Sequence, residues 1–426
     1  MKEIEIKGVG ETIYYDKVGD KLPLYIWQNK KVNGVFSSLC VNYGSIHQEF
    51  KLNGEAKYHK VPQGIAHFLE HLNFYEEDGT TATDFYSQYG SEVNAFTTFD
   101  YTCYYVYNTN EIKENLNHLL DFVLTPNFNK KLMNKERNII IEELKMDEDM
   151  PNSKLYFNHY ANIFHNYHYK ETITGSEEDV RNTTIEDLEL IFNTFYHPEN
   201  MFLVVTGNVN PYEISQIVDD NLKNKTFVEY KNPKIRKIKE PNNIVNKKTE
   251  ITGNVEIPKV KISLKTPLSA FKNIDPIELR LIISLILNNN FGPTSDLKEF
   301  LMERELINYL NASRSFLEDY LIITISMETK YPTEAIKYIE KTLKNLEINE
   351  KSLKRKINSS IATLVLKYDD ITGVNNSLQE DILSFGKVLD NVKLHLENID
   401  LNSVNNVIKK IDSENMAITI LNPENK

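Results

Sequence analysis

Apolar side chains recur along this chain with two periods. In GIAHFLEHLNF, residues 64–74, Ile65, Phe68, Leu69 and Leu72 fall on one stripe at helical spacing, and Pro62 ends the segment before them. A helix with one buried face is predicted there. KKLMNKERNIIIEELKMDED, residues 130–149, reads as a second helix, with Ile139 and Ile140 as core positions between Glu136 and Glu143. FSSLCVNYG (36–44) and KVKISLKTP (259–267) read as strands, and FTTFDYT, within 91–105, as an antiparallel strand pair with a polar corner. Cys103 stands among alternating aromatics and reads as a small buried hydrophobe.

One pattern occurs twice. TTIEDLELIFNTFYHPENMFLVVTGNVN and IDLNSVNNVIKKIDSENMAITILNP each read as a helix, an Asn-Met pair and an apolar strand. The pairs, Asn200-Met201 and Asn415-Met416, are about half the chain apart, and strands 36–44 and 259–267 are loosely equivalent. A repeat of this size predicts two similar domains rather than a solenoid. The stretch 224–250 is polar, charged and twice broken by Pro. The expected division is therefore 1–225, a linker at 226–250, and 251–426. A length of 426 residues also exceeds one ordinary core.

Composition narrows the partners. The chain is 41% hydrophobic and 26% charged, as a globular protein is. A net charge of -12 weighs against nucleic acid and suits basic or neutral peptides. Two cysteines give neither a disulfide framework nor a cysteine metal site. With no apolar run of signal or membrane-span length, the expectation is a cytoplasmic protein without a membrane partner.

Residues 67–74, HFLEHLNF, carry the sharpest chemistry. His67, Glu70 and His71 stand in the order H-x-x-E-H, the reverse of the H-E-x-x-H helix motif of zinc proteases. Histidines four apart lie about 40° apart on a helix and can grip one metal. Glu70 can hold a carboxylate beside a metal-bound water. The same spacing also suits two structural histidines satisfied in a core. A third ligand is available at 130–149, where Glu136 and Glu143, seven apart, share a face, while Glu142 points about 100° away from Glu143. These acids also fit a charged exposed face, and spacing alone does not choose among them. Asp147, Glu148 and Asp149 lack the pattern of a calcium loop and read as a solvated helix end.

Four segments, GIAHFLEHLNF, SEVNAFTTFDYTCYY, ERNIIIEELKMDEDMP and TGSEEDVRNTTIEDLELIFNTFYHPENMFLVVTGNV, occur in order and at compatible spacing. Through them the chain resembles the pitrilysin/insulinase family of zinc peptidases, in its short, two-domain, processing-peptidase-like bacterial form. The resemblance covers nearly all of the first half. It implies Zn2+ held by His67, His71 and Glu143, with Glu70 as general base and Glu136 assisting without ligating. It places Asn94 and Ala95 on an edge strand that pairs with the substrate backbone. It implies an α+β fold of two homologous domains, each an antiparallel-rich sheet with helices on one face. Two chains would close as a clam-shell dimer around a chamber.

The second half fits less well. In LMERELINYL, 301–310, Tyr309 matches a substrate-binding Tyr of the family, but Met302 stands where the family often has Arg, and Arg304 is two positions off. The leading expectation is a zinc endopeptidase acting on short or unstructured peptides, as a homodimer or as the catalytic half of a heterodimer with an Arg-Tyr-bearing homologous subunit. A non-catalytic peptide-binding or assembly subunit is the alternative, and the intact His67, Glu70, His71 and Glu143 weigh against it. His165 and His168 are expected to pack a lid or hairpin, and His197 to be a helix-end polar residue.

Overall fold

Alternating and fully apolar runs become the strands of two large sheets. In the computed structural model, which describes residues 1–424, the first half forms β1 (Lys2–Ile6), β2 (Glu11–Val18), β3 (Leu22–Gln28), β4 (Val35–Val41), β5 (Glu49–Lys51), β6 (His59–Lys60), β7 (Glu92–Thr97), β8 (Thr102–Asn108), β9 (Met201–Gly207) and β10 (Lys234–Ile235). The second half forms β11 (Lys248–Gly253), β12 (Lys259–Pro267), β13 (Tyr309–Leu317), β14 (Tyr320–Glu328) and β15 (Met416–Pro423). The final two residues of the expected 251–426 domain lie outside the described residues. The helices that matter most for the site are α1 (Ile65–Asn73), α2 (Ala82–Gln88), α3 (Ile112–Leu124), α4 (Lys130–Asp149) and α5 (Pro151–Ile163).

The first sheet has the order β1-β2-β3-β9-β4-β8-β7 and the second β11-β15-β12-β14-β13. In the first, β9 runs parallel to β3 and antiparallel to β4, and β8 and β7 continue antiparallel. In the second, β15 runs parallel to β11 and antiparallel to β12, and β14 and β13 continue antiparallel. The five-strand topology is therefore duplicated, with β4 equivalent to β12 and β9 to β15, as the repeated Asn-Met pairs imply. The Asn of each pair does the same work. The Asn200 carbonyl accepts from the Asn42 N–H, and its side-chain amide donates back to the Asn42 carbonyl. Asn415 makes the same two bonds to Lys265.

The described residues form two compact units with interleaved sequence ranges: 1–144, 172–237 and 365–390 in the first, and 145–171, 238–364 and the chain from Asn391 onward in the second. This differs from the expected sequential division, because a helix from each half covers the other half's sheet. Helix α5 packs on β11, β12 and β15, and the helix Ile371–Phe385 packs on β4 and β9. The stretch expected as a linker is partly built in. β10 pairs with β5, and the Glu240 carboxylate is buried against Lys265 Nζ at 2.7 Å.

Each sheet carries its main helical layer on one face, as expected. In the first unit Phe68, Leu69, Leu72, Leu119, Ile140 and Ile191 share that core. The opposite face is covered as well, by Val374 and Leu378 packed over Trp27, Cys40, Cys103 and Val204. Cys103 is buried as expected, with its Sγ 3.0 Å from that of Cys40 across the β4–β8 pair, both thiols free. No helix among the described residues is long and apolar enough to cross a membrane.

Candidate metal centre

Helix α1 begins at a point only glycine allows. Gly64 has φ 79°, and a Cβ there would lie 2.0 Å from the Thr174 carbonyl oxygen, while one on Gly175 would lie 2.5 Å from the Gln63 carbonyl oxygen. The two backbones are thus in direct contact, which fixes where α1 starts. Its apolar stripe, Ile65, Phe68, Leu69 and Leu72, is buried, and this turns His67, Glu70 and His71 toward α4 and β7. In α4 the buried positions are Met133, Glu136, Ile140, Ile141 and Leu144. Ile139, expected in the core, is exposed instead. The buried stripe runs 133, 136, 140, 144 at helical spacing, and residue 139 falls outside it. Glu142 is exposed, as expected.

The three expected ligands converge. One donor atom each from His67, His71 and Glu143 can be chosen so that all lie within 4.8 Å of one another. His67 Nε2 is 3.7 Å from Glu143 Oε1, and His71 Nε2 is 3.4 Å from Glu143 Oε2. The other nitrogen of His71, Nδ1, is 3.0 Å from Glu136 Oε2. Glu136 is buried, and its second oxygen accepts from the Tyr75 hydroxyl at 2.5 Å. Glu136 therefore fixes the His71 ring so that Nε2 faces Glu143. His67 Nδ1 is buried without a hydrogen-bond partner. Two imidazole nitrogens and a carboxylate, one histidine held by a second carboxylate, form a donor set that suits Zn2+ with a position left for water. The residues present fit that ion.

Glu70 sits beside these ligands with its Oε2 accepting from the Thr97 hydroxyl at 2.5 Å. Burial pushes its carboxyl above the ordinary range, against the opposing pull of Thr97 and His71. Burial also lowers the His67 pKa to about 4, helped by the neighbouring His71. For His71 burial works in the same direction, but bonds to Glu136 and Glu143 outweigh it and raise the pKa to about 9. Glu143 is held below the usual carboxylate range, chiefly by His71. Glu136 is lowered too; its burial opposes the charge, and His71 and Tyr75 prevail.

Asn94 and Ala95 lie on β7, the outer strand of the first sheet and the strand that carries Thr97. The Asn94 side chain accepts from the Ala95 N–H at 2.8 Å. Tyr309 begins β13, the outer strand of the second sheet, and is half-exposed. Met302 is likewise half-exposed, and the Arg304 guanidinium lies over the Phe300 ring at 4.3 Å. His165 and His168 lie at a short turn after α5. The His165 N–H donates to Glu240, and His168 Nδ1 pairs with Glu171. His197 caps the turn Pro198–Asn200 by accepting from the Glu199 N–H. Sequence reasoning missed Thr97 and Tyr75. Thr97 stands within the segment SEVNAFTTFDYTCYY, and Tyr75 just past the end of α1, in an isolated bridge with Thr81.

A duplicated α+β unit, one copy of which carries an inverted His-Glu-His helix and a glutamate from a second helix, is the arrangement that the resemblance to the pitrilysin/insulinase family implies. Sequence comparison agrees. The model for "Insulinase (Peptidase family M16)" matches residues 26–177, and that for "Peptidase M16 inactive domain" matches residues 182–360. The "Uncharacterized zinc protease YmfH" of Bacillus subtilis is 34% identical over 318 residues, 74% of this chain and 73% of that protein. The zinc protease YmxG of the same organism is 25% identical over 93% of this chain and 94% of its own length. Among solved structures, a putative M16-like peptidase from Alicyclobacillus acidocaldarius superposes with a TM-score of 0.89 at 24% identity, covering 97% of this chain and 98% of that one. Pitrilysin superposes at 0.76 and 16% identity over 100% of this chain and 47% of its own. The chain belongs to the insulinase family, peptidase family M16.

Proposed function

We propose that this chain is a zinc-dependent endopeptidase that hydrolyses short or unstructured peptides. The observation that carries this reading is the convergence of His67, His71 and Glu143 beside a buried Glu70. A Zn2+ bound there would supply Lewis acidity toward the scissile carbonyl and lower the pKa of water to about 7. The protein's own groups do the rest. Glu70 takes a proton from the attacking water and returns one to the leaving amine. Burial, by raising its carboxyl pKa, brings Glu70 closer to neutrality, where an acid and base works in both directions. Thr97 aims the Glu70 carboxylate, and Glu136 aims His71. As an outer strand, β7 offers backbone groups along Asn94 and Ala95 to an extended peptide, so binding reads little sequence.

A second reading is favoured by Met302. With a half-exposed Met where relatives often carry Arg, and with Arg304 engaged by Phe300, the chain works as the catalytic half of a heterodimer whose homologous partner supplies an Arg-Tyr pair. Incubating a mixed library of unstructured peptides with the zinc-loaded chain tests both readings. Cleavage that a chelator stops and zinc restores supports an enzyme active without a partner. A zinc-loaded chain that cuts nothing, alone or with a homologous Arg-Tyr subunit, removes both.

A further inference from the structure

The second unit has a chemical feature that the metal centre does not use. Strand register lines up Tyr309, Glu328 and Lys259 in one row across β13, β14 and β12, and Asn311, Ser326 and Lys261 in the next. These side chains, with Tyr156 of α5, line a cavity of about 540 Å³. The two rows differ in charge balance. Lys259 Nζ lies 2.6 Å from Glu328 Oε1 and is neutralised there. Lys261 Nζ has the Ser326 hydroxyl at 3.2 Å and the Tyr156 ring at 6.0 Å, and no carboxylate among the described residues pairs with it. Lys265, in the same unit, shows what a satisfied buried lysine looks like: Glu240 at 2.7 Å and the carbonyls of Ile163 and Pro241 within 3.1 Å. An ammonium sheltered from water without a counter-ion is costly, and it keeps hydrogen-bond donors to spare. Burial accordingly holds the Lys261 pKa below its ordinary value.

We propose that this cavity binds a carboxylate of an extended peptide, with Lys261 as the specificity-determining cation and Ser326 and Asn311 as hydrogen-bonding neighbours. Charge complementarity selects the anion, and the outer strand β13, which begins with Tyr309 in the same cavity, offers a backbone edge for the rest of the peptide. The site acts against the chain's overall charge of -12, so that net charge does not predict what binds here. The inference rests on the reading that the chain takes peptides. The carboxylate comes either from a peptide C-terminus or from an Asp or Glu side chain.

The test uses the full-length, zinc-loaded Glu70→Gln chain, so that binding is measured without turnover. Three labelled unstructured peptides are compared: one with a free C-terminus and no acidic residue, its C-terminal amide, and the amide carrying one internal Glu. The carboxylate-bearing form is expected to bind about tenfold more tightly than the neutral amide, the worth of one charge-assisted hydrogen bond. Which of the two anionic peptides gains identifies the source. Lys261→Met abolishes the preference and Lys261→Arg keeps it. Ser326→Asp, which sets an internal carboxylate against Lys261, abolishes it by filling the site, and serves if Lys261→Met does not fold. Equal affinity for all three peptides, or a preference that survives both Lys261→Met and Ser326→Asp, overturns the inference. Peptides that wild type cleaves without any carboxylate preference sink this inference alone. Peptides neither bound nor cleaved sink the peptide reading and this inference with it.

Discussion

Glu136 tests how far the metal centre depends on its supports. The Glu136 carboxylate is 4% exposed, sits 3.0 Å from His71 Nδ1 and accepts from Tyr75 at 2.5 Å. In the proposed centre its role is to hold His71 Nδ1, which leaves Nε2 facing Glu143. Glu136→Gln keeps the volume but turns one oxygen into an amide donor. If the amide donates to Nδ1, the proton moves to Nε2, the nitrogen that faces Glu143. If the remaining oxygen accepts from Nδ1, the bond persists without its charge. Supports of this kind are typically worth 10–100-fold in metal affinity, or about 1.4–2.7 kcal/mol. Competition against a chelator of known affinity should therefore show zinc binding to Glu136→Gln weakened within that range, with the metal-free fold unchanged by circular dichroism. Tyr75→Phe removes one bond from Glu136 and leaves the His71 bond, so its loss should be smaller, below about tenfold. Zinc affinity equal to wild type in Glu136→Gln would refute the claim that this carboxylate orients His71.

Other outcomes follow from the same geometry. Glu143→Ala should leave purified protein with well under one zinc per chain by elemental analysis, and full zinc content would move the third ligand elsewhere, Glu142 first. Thr97→Val should lower kcat about tenfold with zinc content unchanged, the usual cost of losing a hydrogen bond to a charged group; Thr97→Ser should restore it, and a Val variant with wild-type kcat removes Thr97 from the site. His159 is fully buried between Thr419 and Ser263, and burial lowers its pKa to about 3. The unfolded chain therefore binds a proton below its ordinary pKa of 6.5 that the folded chain refuses until about pH 3. Stability supplied by this group is full above pH 6.5 and falls with pH in that window, by about 1.4 kcal/mol per unit. Urea unfolding between pH 7 and 5 should show a shallower loss in His159→Gln than in wild type, and identical slopes would show that His159 does not titrate on unfolding.

Much of the site could be read from the chain because its geometry is local. His67, Glu70 and His71 share two turns of α1, and helical spacing alone puts Glu136 and Glu143 on one face of α4, so both reach His71, and Glu143 reaches His67 as well. The paired Asn-Met signatures were legible for a similar reason, since Asn200 and Asn415 open equivalent strands and bracket equivalent neighbours. What escaped depends on contacts between distant segments. The Thr97 hydroxyl meets Glu70 only because β7 packs beside α1. The interleaving of the units escaped because amphipathic helices such as α5 and Ile371–Phe385 do not encode which sheet they cover. That choice is made by polar fits such as Asn375, whose amide donates to the Phe36 and Val204 carbonyls and accepts from Ser38. Ile139 was misplaced because three successive isoleucines leave the helix phase ambiguous. Glu240 lies in a charged, Pro-broken stretch that reads as solvated, and only the fold reveals Lys265 beneath it.

The central claim is that Glu70 activates water at a zinc centre built by His67, His71 and Glu143. The most direct measurement is peptide hydrolysis by wild type and Glu70→Gln, with zinc content determined on the same samples. The account predicts one zinc per chain in both and turnover nearly abolished in the variant. A zinc-replete Glu70→Gln protein that cleaves at the wild-type rate would contradict it.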